Sequence, residues 1–347
     1  MRLVVGRPNI PDEFRILYHL TEILKTRRLT NNGPLVRELE RRIQEALGVK
    51  HCIAVANGTL GLQIAAKALD LTGEVIMPSW TFVATAHAMK WIGLEPVFVD
   101  VAGHHIDPVL VSRAVTDRTS AILGVHTWGQ PCNTMLQFLA DGYDIALIYD
   151  AAHAFGCSCG NQMIGNFGDC EVFSFHATKF FNTFEGGAIT TNNDDLAERC
   201  RRLRNFGFVD YDTVMDIGIN AKMSEIHAAM GLCLLEYPLI IPNKRNYLLY
   251  KERLGDAVLT HNDKSNYWYI VVESDNRDRI VEELAKKDIQ ARKYFYPGVH
   301  QMPPYNQRDW DLPNTERLAE RTLCLPNGPT VTEDDINEIC EVVLRWS

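Results

Sequence analysis

The chain has 347 residues, more than a single hydrophobic core usually serves, so we expect two domains of unequal size. Hydrophobic residues make up 46% and charged residues 23% of the sequence, a mixture typical of globular proteins. The formal charge of -9 argues against a nucleic-acid-binding protein, because a phosphate backbone requires a basic face.

The sequence carries no signal for a membrane, a secretory pathway or a metal. No apolar run approaches the length of about 18 residues that spans a bilayer, and the first residues, MRLVVGRPNIPDEF, lack the apolar centre of a signal peptide. The nine cysteines are irregularly spaced, which favours reduced thiols, and Cys157 and Cys159 have no neighbouring histidine to complete a metal site. We therefore expect a cytoplasmic protein without a metal.

The first predicted element is an amphipathic helix over residues 34–49. Val36, Leu39, Ile43 and Leu47 recur at helical spacing, and glycine follows directly as a stop. Short apolar runs come next, most of them separated by segments long enough for a helix. Such a pattern predicts an α/β fold with a mostly parallel, doubly wound sheet. The runs are 52–56, 75–77, 97–99, 121–125, 145–149, 172–175 and 188–190.

The pattern changes near residue 240, after two prolines. One strand is predicted at Tyr267–Val272, a helix near Asp278–Lys287 and a last helix from Thr332. We predict a large domain over 1–239, which includes the N-terminal arm, and a small α+β domain over 240–347.

A phosphate site is indicated where the first apolar run enters a helix. Gly58 lets an anion approach the backbone, Thr59 offers a hydroxyl, and the helix N-terminus adds free N–H groups. The neighbouring Asn57 is also an ordinary helix cap, so the motif by itself leaves a purely structural role open.

Asp150 follows a fully apolar run, which places it at the carboxyl edge of the predicted sheet. A carboxylate held there needs a cationic partner, and a protonated pyridine nitrogen is one that turns the ring into an electron sink. His153 follows closely and could reach the ring oxygen. Taken alone, an aspartate at such a position is more often a cap or turn residue.

Lys179 stands between two predicted strands, among Phe175, Phe180, Phe181 and Phe184. Aromatic surroundings disfavour an ammonium ion, which lowers the pKa of the amine and frees it to attack a carbonyl. An isolated lysine would instead be read as a surface residue. In this order along the chain, however, the phosphate motif, the acid and the lysine together predict a pyridoxal 5'-phosphate enzyme.

The combined pattern resembles the DegT/DnrJ/EryC1/StrS family of sugar aminotransferases, which are fold-type I pyridoxal-phosphate enzymes. The sequences of two motifs, HATKFFNTFEGG and GINAKMSE, are most similar to those of enzymes that aminate dTDP-4-keto-6-deoxyglucose. The resemblance rests on LTNNGP (29–34), NGTLGL (57–62), MPSWTFVATAHA (77–88), GVHTWGQPC (124–132), DAAHAFG (150–156), SFHATKFFNTFEGGA (174–188) and GINAKMSEIHAAMGL (218–232).

The resemblance implies catalytic roles for Lys179, Asp150 and His153. Lys179 would bind the cofactor covalently and transfer a proton between the cofactor and the substrate carbon. Asp150 would hold the pyridine nitrogen, and Phe82 would stack on the ring. Asn220 would reach the phosphate from a second subunit, which implies a homodimer with shared active sites. The implied cofactor contacts are Gly58, Thr59, Leu60, Phe82, Asp150, His153, Ser174, Lys179 and Asn220.

The resemblance also implies a set of substrate contacts. L-Glutamate would donate its amino group, leave as 2-oxoglutarate and convert the cofactor to pyridoxamine 5'-phosphate. The nucleotide-linked keto sugar would then receive the group at C4. The candidate substrate residues are Thr30, Asn31, Asn32, His126, Trp128, Glu185, Lys222, Tyr294 and His300.

Other functions stay open from the sequence. They are amination of a dTDP-3-keto sugar at C3, amination of a cyclitol, and a non-catalytic scaffold. The presence of Lys179 argues against the sugar dehydratases that resemble this family, because they carry histidine at that position.

Overall fold

The computed structural model describes residues 1–261 and 264–346. Its strands are β1 (Leu3–Val4), β2 (His51–Val55), β3 (Glu74–Pro78), β4 (Glu95–Val99), β5 (Val101–Ala102), β6 (His105–Ile106), β7 (Thr119–Val125), β8 (Ala146–Asp150), β9 (Ser158–Cys159), β10 (Gln162–Met163), β11 (Cys170–Ser174), β12 (Gly187–Thr191), β13 (Ile270–Glu273), β14 (Ile289–Gln290) and β15 (Thr322–Leu325).

Twelve α-helices lie within the described residues. They are α1 (Glu13–Thr26), α2 (Pro34–Leu47), α3 (Gly58–Ala68), α4 (Val83–Trp91), α5 (Pro108–Ala114), α6 (Met135–Tyr143), α7 (Asp194–Leu203), α8 (Glu225–Leu235), α9 (Ile240–Leu254), α10 (Arg277–Lys286), α11 (Pro313–Arg321) and α12 (Glu333–Trp346).

Seven strands form the central sheet in the order β2-β12-β11-β8-β7-β3-β4. Neighbouring strands run parallel from β11 to β4, whereas β12 runs antiparallel to both of its neighbours. Each of the seven apolar runs overlaps one of these strands. The prediction of a mostly parallel, doubly wound sheet is confirmed.

Both faces of the sheet are buried, which explains the lack of polar alternation in its strands. In β8, Leu147 and Tyr149 join a cluster with α5 and α6, whereas Ile148 joins a cluster with α3, α4 and α7 on the opposite face. Helices α2 and α8 pack in a third cluster through Leu39 and Met230.

The last third of the chain surrounds a smaller sheet, in which β13 and β15 pair antiparallel, and a core formed with α9, α10 and α12. Strand β1 pairs with β14, so the start of the chain is joined to this part as well. Asp100 links the two parts by accepting the backbone N–H groups of Asn314 and Thr315 at the start of α11. The division at residue 240 stays a prediction.

Among the described residues, no single helix is both long and apolar enough to cross a membrane. Helices α8 and α9 meet the requirements of length and apolar composition only when they are taken together, and they are bent by 64° with respect to each other.

The start of α2 depends on a buried acid from another helix. The carboxylate of Glu225 accepts the backbone N–H groups of Leu35 (2.9 Å) and Val36 (3.0 Å). A side chain at position 33 would collide with it, since a Cβ there would lie 2.4 Å from the Glu225 carboxyl carbon, and glycine occupies that position. The negative charge also lies at the positive end of the α2 dipole.

We expect Glu225→Ala to lower the free energy of unfolding by about 1–3 kcal/mol, because one buried and one partly buried N–H group lose their acceptor. Chemical denaturation of both proteins measures the difference. Glu45→Ala is the matched control, since Glu45 is exposed and pairs with Arg41 within α2, and it should change stability by less than about 0.5 kcal/mol. Equal losses in the two variants would contradict the capping role.

Candidate active site

A cavity of about 770 Å³ opens at the carboxyl ends of the parallel strands. Doubly wound folds bind their ligands at this edge. Much of the predicted site meets there. The predicted residues that line the cavity are Gly58, Thr59, Leu60, Phe82, Asp150, His153, Ser174, Lys179, Glu185 and Tyr294.

One end of the cavity is suited to an anion. Helix α3 begins there at Gly58, and the Asn57 side chain caps it by accepting the backbone N–H of Leu60 (2.8 Å). A Cβ at position 58 would lie 3.2 Å from the Cβ of Ser174, so the loop packs directly against the end of β11. The Thr59 and Ser174 hydroxyls face the same cavity. Free N–H groups and hydroxyls at a helix N-terminus can bind a phosphate group.

A further polar group of the cavity is the carboxylate of Asp150, which is buried at the end of β8. Its two oxygens accept the Thr85 hydroxyl (2.8 Å) and the backbone N–H of Ala152 (3.0 Å). A second hydroxyl, that of Thr81, lies 2.8 Å from the Thr85 oxygen. Burial raises the pKa of Asp150, while these hydrogen bonds and Lys179 oppose the shift.

Lys179 lies in the loop between β11 and β12, with its backbone N–H bonded to the carbonyl of His176 (2.9 Å). Burial lowers the pKa of its ammonium group to about 8, and the charge of Asp150 opposes part of the shift. The predicted direction is therefore confirmed. At neutral to mildly alkaline pH, a substantial fraction of this amine is unprotonated and nucleophilic.

His153 is held by aromatic packing. Its ring stacks on Trp128 (centroids 5.5 Å apart) and Phe295 (5.8 Å), and its Nδ1 accepts the backbone N–H of Trp128 (3.3 Å). Burial and the nearby Lys179 lower its pKa well below the ordinary value, so the imidazole is neutral. A neutral ring can offer Nε2 as a hydrogen-bond partner inside the cavity.

Three residues predicted to contact substrate lie elsewhere, buried by other side chains. His126 pairs with Glu171 (2.7 Å), and His300 with Ser79 (2.7 Å). Trp128 stacks on Phe295, with 5.2 Å between ring centroids. Although β7 ends at the ligand-binding edge, the side chains that follow it turn into the protein.

A second cavity of about 290 Å³ contains another part of the predicted set. Asn31, Asn32 and Lys222 line it, and it shares no lining residue with the first cavity. Asn220 lies beside it, accepting the Lys222 ammonium (2.7 Å) through Oδ1. Thr30 belongs to the same exposed loop as Asn31. These residues do not line the Lys179 cavity of their own chain.

Thr81, Thr85 and Arg292 were not among the residues predicted from the sequence. Thr81 lies just before α4 and Thr85 lies in its first turn, and their hydroxyls continue the polar chain to Asp150. Arg292 lines the first cavity from the C-terminal part of the chain. Residues 292–305 are rich in basic and aromatic side chains, a composition that indicates a ligand-binding neighbourhood but does not single out Arg292.

Comparison with known proteins covers almost the whole chain. A protein-family model described as the DegT/DnrJ/EryC1/StrS aminotransferase family matches residues 12–344. A dTDP-4-amino-4,6-dideoxy-D-glucose transaminase of Shigella dysenteriae is 38% identical over 359 residues, with 98% of each chain covered. The protein of the same name from Escherichia coli is 39% identical over 363 residues, with 98% of this chain and 97% of the other covered.

A solved structure supports the same relationship. The crystal structure of DesI in the presence of its TDP-sugar product superposes with a TM-score of 0.94 and 46% sequence identity. The alignment covers 98% of this chain and 92% of that one. The likeness therefore includes the C-terminal part as well as the central sheet.

The lowered pKa of Lys179 predicts unusual reactivity. In protein freed of bound small molecules, reductive methylation at Lys179 should reach half its maximal rate near pH 8, because the amine loses its proton there rather than at the ordinary 10.5. Peptide mass spectrometry across a pH series measures each lysine. Lys25 is the internal control, since its pairing with Glu22 raises its pKa.

Asp150→Asn provides the complementary test of the same reactivity. It removes the carboxylate that stabilises the ammonium form, so the Lys179 midpoint should move to lower pH. A midpoint near that of exposed lysines in both proteins would disprove the buried-amine assignment.

Proposed function

We propose that this chain, which belongs to the DegT/DnrJ/EryC1/StrS aminotransferase family, is a pyridoxal-phosphate enzyme acting on a nucleotide-linked sugar. The reaction is transfer of the amino group of L-glutamate to dTDP-4-keto-6-deoxy-D-glucose, which yields dTDP-4-amino-4,6-dideoxy-D-glucose. The observation that carries the proposal is the joint presence, in one cavity, of a lysine with a pKa of about 8 and a buried carboxylate. The names of the two curated relatives support the sugar and the position of amination.

The cavity residues fit pyridoxal 5'-phosphate group by group. Asp150 would hold the pyridine nitrogen, and the Gly58–Leu60 helix start with the Ser174 hydroxyl would hold the phosphate. Phe82 faces the cavity with more than half of its side chain exposed, as a residue that stacks on a planar ring would. When bound, this cofactor supplies an electron sink that stabilises negative charge at the carbon bearing the amino group.

The side chains of the protein supply the proton transfers and the positioning. Nζ of Lys179 would hold the cofactor covalently and, once released, accept a proton from the substrate carbon and return one. A pKa of about 8 suits a group that must do both near neutral pH. Asp150, fixed by Thr85 and Ala152, holds its negative charge at one place in the cavity.

A homodimer with shared active sites forms the second part of the proposal. Apolar side chains project from residues 209–217, where Tyr211 and Ile217 are 96% and 99% exposed. Further exposed apolar residues, among them Phe14 and Tyr18, lie on α1. Exposed apolar groups on this scale indicate a protein interface. A second copy would cover these apolar side chains. It would also bring Asn220 and Lys222 to its own Lys179 cavity, which they do not line within their own chain.

The main experiment follows the absorption spectrum of the purified protein. L-Glutamate should abolish the visible band of the bound cofactor, and dTDP-4-keto-6-deoxy-D-glucose should restore it. Nuclear magnetic resonance of the product should show the amino group at C4. Lys179→Ala should remove the band and lower turnover by at least about 100-fold, since proton transfer by a positioned base contributes that much or more.

Other outcomes of this experiment would each correct a different part of the proposal. Failure of wild-type protein to take up pyridoxal phosphate would disprove the catalytic function and favour a scaffold. Amination at C3, or acceptance of a cyclitol in place of the sugar, would correct the substrate alone. A band indifferent to glutamate would reject the donor.

Mixing inactive variants tests the shared site. If Asn220 serves the cavity of the other subunit, a hybrid of Lys179→Ala and Asn220→Ala chains has one intact site and one doubly defective site. Random reassociation should restore about a quarter of wild-type activity, because half of the dimers are hybrids with one working site each. Activity that stays at the level of the separate variants would show that each chain forms its site alone.

A further inference from the structure

Arg292 lies in the wall of the first cavity, on the opposite part of the chain from Asp150 and Lys179. It lies two residues after β14, and its backbone exchanges two hydrogen bonds with Cys324 of β15 (3.0 and 2.8 Å). Its guanidinium lies 4.8 Å from the centre of the Tyr294 ring. Both the backbone and the side chain are therefore held, although the residue is exposed at the cavity mouth.

The charges of the cavity leave this arginine without a counter-ion. Asp150 and Lys179 compensate each other, and Glu185 lies 3.5 Å from His176. Within the described ranges 1–261 and 264–346, no carboxylate lies within 4 Å of the Arg292 guanidinium. An arginine kept free at a cavity mouth, in a chain with a formal charge of -9, is suited to a ligand that brings its own negative charge.

The adjacent lysine shows the contrast. Lys293 forms an ion pair with Asp278 (2.8 Å), and Asp278 also pairs with Arg277. Lys293 does not line the cavity. Two neighbouring cations on one segment thus have different surroundings, one neutralised within the protein and the other facing the cavity.

We infer that Arg292 is the anion-recognition residue of the Lys179 cavity and binds an acidic group of the substrate through its planar, two-pronged guanidinium. The inference rests on the proposed function, in which both substrates carry such a group: the diphosphate of the nucleotide sugar and the carboxylates of glutamate. Guanidinium binds carboxylate and phosphate oxygens in pairs, which fixes orientation as well as affinity. The exposed position favours the diphosphate, because the sugar must enter the cavity while the nucleoside remains towards solvent.

The test compares Arg292→Met with the matched control Lys293→Met, both as holoenzymes with the wild-type absorption band and thermal unfolding temperature. Calorimetric titration measures binding of dTDP and of thymidine, which lacks the diphosphate, and steady-state kinetics measures KM for L-glutamate and for the keto sugar. Loss of a charge-assisted hydrogen-bond pair should weaken dTDP binding by about 10-fold to 100-fold. Thymidine binding and the Lys293→Met variant should change by less than about two-fold.

The arms of the experiment distinguish the source of the anion. Weaker dTDP binding with an unchanged KM for glutamate assigns Arg292 to the diphosphate, and the reverse assigns it to a carboxylate of the donor. Arg292→Lys keeps the charge without the paired geometry, so its affinity for the anion should lie between those of wild type and Arg292→Met. The lysine variant also provides the test if the methionine variant does not fold.

Two results would overturn the inference. One is an effect of less than about two-fold on both anions, and the other is an equal effect of Arg292→Met and Lys293→Met. Neither result depends on whether glutamate abolishes the visible band of the wild-type enzyme, so failure of the proposed function is recognised separately.

Discussion

Burial of Asp150 together with Lys179 is the constraint on which the rest of the site depends. Removal from water favours the neutral form of each group, raising the pKa of the acid and lowering that of the amine, while the charge of each partner opposes the shift of the other. The result is an amine that loses its proton near pH 8 beside an acid that is held by two hydrogen bonds. Exposure of either group to water would remove this balance.

The surrounding architecture holds Asp150 and Lys179 in place. The end of β8 carries Asp150, the loop after β11 carries Lys179, and these two strands are neighbours in the sheet. Behind them, Trp128, His153 and Phe295 form an aromatic stack that joins the strand ends to the C-terminal part of the chain. The precision of the site therefore depends on the packing between the two parts as well as on the sheet.

The sequence was most informative where burial left a simple pattern. Continuous apolar runs predicted the strands because both faces of the sheet are covered, and ten of the residues proposed from the motifs and the family resemblance line one cavity. His126 is an exception, because its side chain is buried and does not line the cavity. Its position after β7 was correct, but the direction of its side chain depends on Glu171, a carboxylate inside the buried strand β11 that has no signature in the pattern of its neighbours. Partners so distant in sequence are brought together only by the fold.

Glu225 also joins two segments that are distant in sequence. Its carboxylate holds the start of α2 and its backbone N–H bonds to the carbonyl of Leu29, so it fixes both ends of the loop that presents Asn31 and Asn32. Lys222 lies three residues before it, and these side chains line the same second cavity. A buried charge is costly in an otherwise apolar helix unless its hydrogen bonds are satisfied. Here the satisfied carboxylate couples the loop to the segment around Lys222, so that one buried group holds both segments that line the second cavity.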